Sequence, residues 1–557
     1  MVSLTPSSGT GLTQTFTVVV TDPSGIADLS QWQLLFNDMV GRSYTCNVSY
    51  NPGTHNLYLY NDVGTTLSAA VVPGSATQVS SNQCTLSGAR SSYSSTGNNL
   101  TVSVALTFTE WFTGQQNAYV LAQGKYKLNS GWLQMGTWTV PPQQLRLAPP
   151  PQPVPETYFG MHMHRSEVQA GNNKYVTPWP NVPIGVWRLL AAKVEWFDLD
   201  PRKNEFNFAL LDKYVAIAQQ KHVKLLLPLY GSPALGIWAH RKSPHRLIPQ
   251  APAEPADMND CTVATRYKGQ IEAYEVWNEP NLKESWTGSV EQLVDMSREA
   301  FRIIRSVDPA ALVVLPSCTS WGGPQYLDDF LKKGGGQFGD VIGYHFYVHT
   351  NPEAMAPVAK RVEDVMRANH VAKPLWNTET GWFVPKPFPS DDLAAAYVAR
   401  ALILAWAAGI SRFYWYSWDN HGWVSVEMVE RDDVTLKPAA KAYRVIQQWL
   451  TGAIVRSCES DSANNWTCEL QRGGARQWIV WNADRPVTFA VPADWHATYD
   501  TPLLGSKEKL SNTTIEIGPT SSVAGAINES FLVQTRSHSF REQNRLSRIA
   551  SAFIVSP

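Results

Sequence analysis

Between Tyr158 and Trp418 the chain carries eight short apolar runs, each closed by polar or turn residues, with stretches of helical period between several of them. The runs are Tyr158 to His164, Ile184 to Leu190, Val223 to Leu229, Ile271 to Trp277, Ala311 to Ser317, Val341 to Tyr347, Pro374 to Thr378 and Arg412 to Trp418. Helices are expected over Phe208 to Lys221, Val290 to Val307, Met355 to Asn369, Asp391 to Ala408 and Pro438 to Leu450. Strands alternating with helices call for a parallel sheet covered by helices. Eight repeats over roughly 290 residues is the size at which that sheet closes into a (β/α)8 barrel. The barrel is expected over residues 157–450.

A barrel of this kind carries its chemistry on the C-terminal ends of its strands and on the loops that follow. The fourth run ends in Trp277-Asn278-Glu279-Pro280, a carboxylate set immediately before the proline that stops the strand. The seventh ends in Trp376-Asn377-Thr378-Glu379-Thr380-Gly381, a second carboxylate at a second strand end. Glycoside cleavage with retention needs such a pair: an acid to protonate the leaving oxygen, and a carboxylate about 5 Å away to attack the anomeric carbon. Glu279 and Glu379 are the expected acid/base and nucleophile. Glu275, four residues deeper than Glu279, is expected as a buried partner for a barrel cation such as Arg188.

This order of carboxylates resembles clan A of the glycoside hydrolases, in which a strand-four glutamate following asparagine is the acid/base and a strand-seven glutamate is the nucleophile. The resemblance covers Thr157 to about Leu450. It implies that Arg188 on strand two hydrogen-bonds the nucleophile and that His345 and Tyr347 on strand six form the clan's His-x-Tyr pair. It also makes Trp418 the aromatic platform under the cleaved sugar and Asn278 the partner of the 2-hydroxyl. His162 and His164 on strand one are expected to line the sugar site, and Trp382 to contribute to a subsite with other loop tryptophans: Trp179, Trp238, Trp286, Trp321 and Trp423. The run Trp196 to Pro201, followed by Phe208 and Leu211-Asp212, is similar to family 39 and its relatives, and Asn377-Thr378-Glu379-Thr380-Gly381-Trp382 resembles the polysaccharide-acting bacterial branch of that family.

The expected activity is therefore retaining hydrolysis of β-linked poly- or oligosaccharides by double displacement, with no cofactor and no metal. An exo-acting β-glycosidase of the same clan is one alternative, and a non-catalytic carbohydrate-binding protein is another. A third is a metal-dependent amidohydrolase barrel, prompted by His162-Met163-His164 together with His345 and Asp419. That pattern fails at strand five, which ends in Cys318 where a histidine is wanted, and at strand four, which offers Asn-Glu in place of a bridging lysine.

Two flanking β regions are expected. Residues 1–140 hold short strands between turn residues and read as an immunoglobulin-like β-sandwich. Residues 141–156 are proline-rich and read as a semi-rigid linker. Residues 451–535 read as a small C-terminal β-sandwich, and 536–557 as a tail with no assigned element. Cys46 with Cys84 and Cys458 with Cys468 are disulfide candidates. If both pairs are bridged, the protein is secreted or periplasmic, its signal peptide being absent from the sequence as given. A formal net charge of -1 gives no footprint for nucleic acid or an anionic membrane, and no run reaches the ~20 apolar residues of a membrane span. The expected partner is a carbohydrate. Of the 22 tryptophans, 14 fall between Trp179 and Trp449, so the barrel region has aromatic rings to spare for sugar faces.

Overall fold

The computed structural model describes residues 2–519 except 24, 38–39, 41–44, 62–63, 110–111, 142–143, 169–175, 202–204, 232–259, 320–321, 349–350, 383–387, 420, 423 and 511–512. The expectations for Trp238, Trp321, Trp423, most of the long loop after strand three, and the tail 536–557 lie outside the described residues.

Eight parallel strands follow one another around a closed sheet: Phe159–His162, Val186–Arg188, Lys224–Pro228, Ala273–Glu275, Leu312–Val314, Ile342–His345, Leu375–Thr380 and Ile410–Trp415. Strand one pairs with strand two on one side and strand eight on the other. Strand five closes the ring in two pieces. Leu312–Val314 pairs with strand four, and Cys318–Thr319 pairs with strand six. A closed (β/α)8 barrel is thus the architecture of the central region.

Alternation along the strands builds the barrel in layers. Val186, Leu226, Ala273, Val314, Val341, Trp376 and Tyr414 form one apolar cluster across it. Two residues further along strands two and four stand Arg188 and Glu275, both fully buried, so the layer nearer the strand ends is ionic. Gly160 keeps strand one close to its neighbours, since a Cβ there would lie 2.7 Å from Val186 Cγ2 and 2.8 Å from the Phe413 carbonyl.

The helix Val290–Val307 is bounded as expected. Ser289 caps it, with Gln292 N donating to Ser289 Oγ at 3.3 Å and Ser289 N donating to Gln292 Oε1 at 2.8 Å, a reciprocal capping box. Helices Ala209–Lys221, Met355–Ala368, Asp391–Ala407 and Pro438–Leu450 also follow the apolar period. Helix Gly323–Lys332 was not expected from sequence. Its run of Asp328, Asp329, Lys332 and Lys333 interrupts the apolar pattern, yet it buries Leu327, Phe330 and Leu331.

Residues 2–140 form two sheets, of five and six strands, around their own core of Phe16, Trp32, Phe36, Val104, Trp138 and their neighbours. Cys46 and Cys84 are bridged, with Cα atoms 5.6 Å apart. After the barrel, Ile454–Ser460, Asn465–Arg472 and Ala475–Asn482 form an antiparallel sheet in which Cys458 faces Cys468, and these two are also bridged. This sheet shares the barrel's hydrophobic core, and Trp481 Nε1 donates to Glu353 Oε1 at 2.7 Å.

The proline-rich segment does more than span a gap. Arg146–Leu147 adds an antiparallel edge strand to the C-terminal sheet, and Val154 exchanges backbone hydrogen bonds with Gly452 and Ala453. Polyproline geometry leaves the non-proline residues between the prolines free to donate, and those are the ones that pair.

Candidate active site

The site lies where strands two, four, six and seven end. Arg188 is its hub. Nε donates to Glu275 Oε2, Nη1 to Glu379 Oε2 and Nη2 to Asn278 Oδ1, each at 2.7 Å. The guanidinium is fully buried; desolvation works against its charge, and the two carboxylates outweigh that and hold it above its ordinary pKa. A planar fork with donors on three sides can fix three groups in one geometry, which a lysine could not do.

Glu379 owes its orientation to a bulge. On strand seven Asn377 faces Tyr344 of strand six, but the next residue of strand six, His345, faces Glu379, so Thr378 is an extra residue. Strict alternation from Trp376, which faces the barrel interior, would turn Glu379 towards the helices. The bulge turns it inward instead, as bulges beside functional sites do. Its second oxygen, Oε1, accepts from the Tyr347 hydroxyl at 2.8 Å. Burial and the neighbouring carboxylates Glu379 and Glu279 push the Tyr347 hydroxyl well above its ordinary pKa, so it remains a donor.

Glu279 sits in the left-handed region at φ 52, with its N–H donating to the Ser317 carbonyl at 2.9 Å. A residue with a side chain held there costs about 1–2 kcal/mol, and such strain clusters at functional sites. The loop that holds it is clamped. Asn281 and Thr319 exchange a reciprocal pair of 2.9 Å hydrogen bonds, and the Ser285 hydroxyl donates to the Asn278 carbonyl. Burial raises the Glu279 carboxyl to about 7, against the Thr319 hydroxyl and Arg188, which favour the charged form. Glu279 Oε1 is 2.8 Å from His345 Nδ1. Burial lowers His345 to about 4, with Arg188 acting in the same direction, so the ring is neutral at physiological pH.

Glu279, His345 and Glu379 each place one ligand-type atom within 4.8 Å of the others. The two carboxylates therefore face each other across a gap suited to the shorter, retaining separation of about 5–5.5 Å, not to the 6.5–9.5 Å of inverting pairs. Among the described residues this is the one such group, and it leaves out His162, His164 and Asp419 of the amidohydrolase set. His164 and Asp419 instead bind each other, Nδ1 to Oδ1 at 2.8 Å. Desolvation of Asp419 is outweighed by His164 and Arg165, which hold its carboxyl below the usual range.

Several expected sugar contacts stand behind the surface. His162 is fully buried with Nε2 3.0 Å from the Thr378 carbonyl, so it braces the bulged strand and does not reach a sugar. Arg188 and His345 are likewise fully buried and act through the carboxylates. Trp418 is 2 % exposed, with its backbone N–H on the His162 carbonyl, and offers no open face; burial closes off its role as a platform. Tyr416, two residues earlier, packs edge-on against His162 and His164, at 5.0 and 5.3 Å between centroids, and is the strand-eight aromatic beside the site. Trp382 is half-buried, held edge-on between Phe388 and Tyr397. Asn278, His164 and Tyr347 retain some exposure.

Sequence reasoning missed Glu195. It follows the loop after strand two, and burial together with Asp198 raises its carboxyl to about 8. Its neighbours Trp196 and Phe197 donate backbone hydrogen bonds to the Tyr230 and Gly231 carbonyls, and these fasten the strand-two loop to the start of the strand-three loop. A carboxylate beside Trp-Phe-Asp carries no signal that separates it from a surface acid.

Residues 183–421 match the family model for cellulase, glycosyl hydrolase family 5. Among solved structures, a family 39 glycoside hydrolase from the gut symbiont Bacteroides cellulosilyticus WH2 is similar at 14% identity over 95% of this chain and 99% of that one, with a TM-score of 0.53. A glucosidase from Croceicoccus marinus is similar at 14% identity over 68% of this chain and 85% of that one, with a TM-score of 0.48.

Proposed function

We propose that this chain, a glycoside hydrolase built on the clan A barrel, cleaves β-linked bonds in a poly- or oligosaccharide with retention of configuration. The observation that carries the reading is the pairing of Glu279 and Glu379 at the ends of strands four and seven, one oxygen of each within 4.8 Å.

In the first step Glu379 attacks the anomeric carbon, the glycosidic C–O bond breaks, and Glu279 passes its proton to the leaving oxygen. In the second, Glu279 removes a proton from water, which attacks the same carbon and releases Glu379. The environments fit this division. Burial raises Glu279 to about 7, so it holds a proton to give. Glu379 is held by the Arg188 guanidinium at 2.7 Å and by the Tyr347 hydroxyl at 2.8 Å, which fix its two oxygens. Asn278, its carbonyl oxygen taken by Arg188, presents its amide NH2 to the sugar 2-hydroxyl. His345 orients Glu279, and Tyr416 takes the place expected of Trp418 beside the sugar.

Residues 1–140 are read as an immunoglobulin-type sandwich and the described part of 451–535, residues 451–519, as a small β-domain fused to the barrel core, with the edge strand from the 141–156 segment added to its sheet. Two bridged cysteine pairs suit maturation in an oxidising compartment and secretion. The test is a product profile: the purified protein with β-linked polysaccharides and aryl glycosides, beside Glu379→Gln. Sugar release that is absent from the control supports the reading. Equal release by both proteins would overturn it.

A further inference from the structure

The N-terminal region carries a second concave site, far in sequence from the barrel carboxylates. On the six-stranded sheet, Leu29–Asn37 pairs with Cys46–Asn51 on one side and Gly114–Gly124 on the other. Trp32, Leu34 and Phe36 face the core, so alternation sends Gln31 and Gln33 to the opposite face. There Gln31 stands opposite Gln123, and Gln33 opposite Leu121. Tyr60 and the loop leading to Trp132 wall this face into a cleft of about 630 Å³. That lies within the ~300–1,000 Å³ of small-ligand sites.

The chemistry of the lining is unusual for the outer face of a sheet. No charged side chain lines it among the described residues. Its floor is a set of linked amides: Gln31 Nε2 donates to Gln123 Oε1 at 3.0 Å, and Asn47 Nδ2 donates to Gln33 Oε1 at 3.2 Å. Asn47 is only 2 % exposed, and its Oδ1 is a buried acceptor with no partner among the described residues. Buried acceptors are rarely left unpaired, and this one belongs to a residue that lines the cleft. Half-buried Tyr60 and Trp132 add ring surface.

We infer that this cleft binds a neutral carbohydrate. Each primary amide offers both a donor and an acceptor, the pair that a sugar's adjacent hydroxyls present in reverse, and the rings cover the apolar C–H face. The lining among the described residues is uncharged, which suits a neutral ligand. The site stands on its own lining. Only the further step, that it holds the polymer the barrel cuts, rests on the catalytic reading.

The test is affinity gel electrophoresis of the full chain in the Glu379→Gln background, through gels containing mixed-linkage β-glucan, glucomannan, xylan or galactan. Retardation by at least one polymer is expected, weakened tenfold or more by Trp132→Ala and by Gln33→Ala. Both variants should keep the parent melting temperature and, with Glu379 restored, unchanged hydrolysis of a small aryl glycoside. Retardation untouched by both substitutions would overturn the proposal, as would no retardation by any of the four polymers. Failure of the catalytic reading would show separately, as no aryl glycoside hydrolysis by the parent enzyme.

Discussion

Arg188 Nη1 lies 2.7 Å from Glu379 Oε2, and the same guanidinium holds Glu275 and Asn278 at 2.7 Å through its other nitrogens. One buried cation thus sets the proposed nucleophile Glu379, the Asn278 amide and a deeper carboxylate in a single geometry. Arg188→Lys keeps a charge but can satisfy only part of this fork. It should lower kcat/KM by roughly 10²-fold or more, as misplacement of catalytic groups does. Arg188→Ala leaves Glu275 buried without its partner and should also destabilise the fold by about 3–5 kcal/mol. Activity assays with thermal denaturation on both variants separate the two effects.

Removing Glu379 should abolish turnover, a loss of roughly 10⁴-fold or more on every substrate. Glu279→Ala should behave differently. Loss of the general acid costs roughly 10²–10⁴-fold where the leaving group needs a proton, and much less where it departs unaided. Comparing a polysaccharide with a dinitrophenyl glycoside makes the distinction. Equal, complete loss on both would take Glu279 out of the acid role.

In the proposed mechanism Glu279 acts as acid only while protonated. Its carboxyl is raised to about 7 by burial, so kcat/KM should fall as pH rises through about 7. That limb should vanish in Glu279→Ala assayed with an activated leaving group. The same shift links pH to stability. Between the ordinary 4.5 and about 7 the folded state keeps a proton the unfolded state has lost, so this group's contribution declines as pH rises through that window. Glu279→Gln should therefore gain melting temperature relative to the parent from pH 5 to pH 8.

The Cys46–Cys84 bridge closes a sequence separation of 38 residues within the N-terminal core. Replacing both with alanine should lower the stability of that region by about 2–4 kcal/mol. Hydrolysis of a small aryl glycoside, whose site lies in the barrel, should change little. Chemical denaturation read beside activity checks both halves.

The layout of the barrel was legible because it is written in periodicity. All eight strand positions follow apolar runs, and the helix Val290–Val307 is bounded by residues whose capping chemistry is local. The convergence of Glu279 and Glu379 was legible because proline and glycine punctuate the strand ends that carry them. What stayed hidden depends on register and three-dimensional neighbours. The extra residue Thr378 that turns Glu379 inward leaves no mark on composition. Trp418 and Tyr416 differ in exposure for reasons of packing alone, and with aromatics at 414, 415, 416 and 418 the sequence could not say which faces the site. Glu195 needed a view of its burial, and Arg146–Leu147 needed a view of the sheet edge it joins.

The most direct measurement is peptide mapping by mass spectrometry after incubation with a panel of 2-deoxy-2-fluoro-β-glycosides bearing an activated leaving group. Their first step outruns their second, so a covalent glycosyl-enzyme accumulates. One added sugar is expected, attached to Glu379, with activity returning as the adduct turns over. A sugar attached to another residue, or turnover of substrate to the inverted anomer with no adduct, would contradict the proposed mechanism.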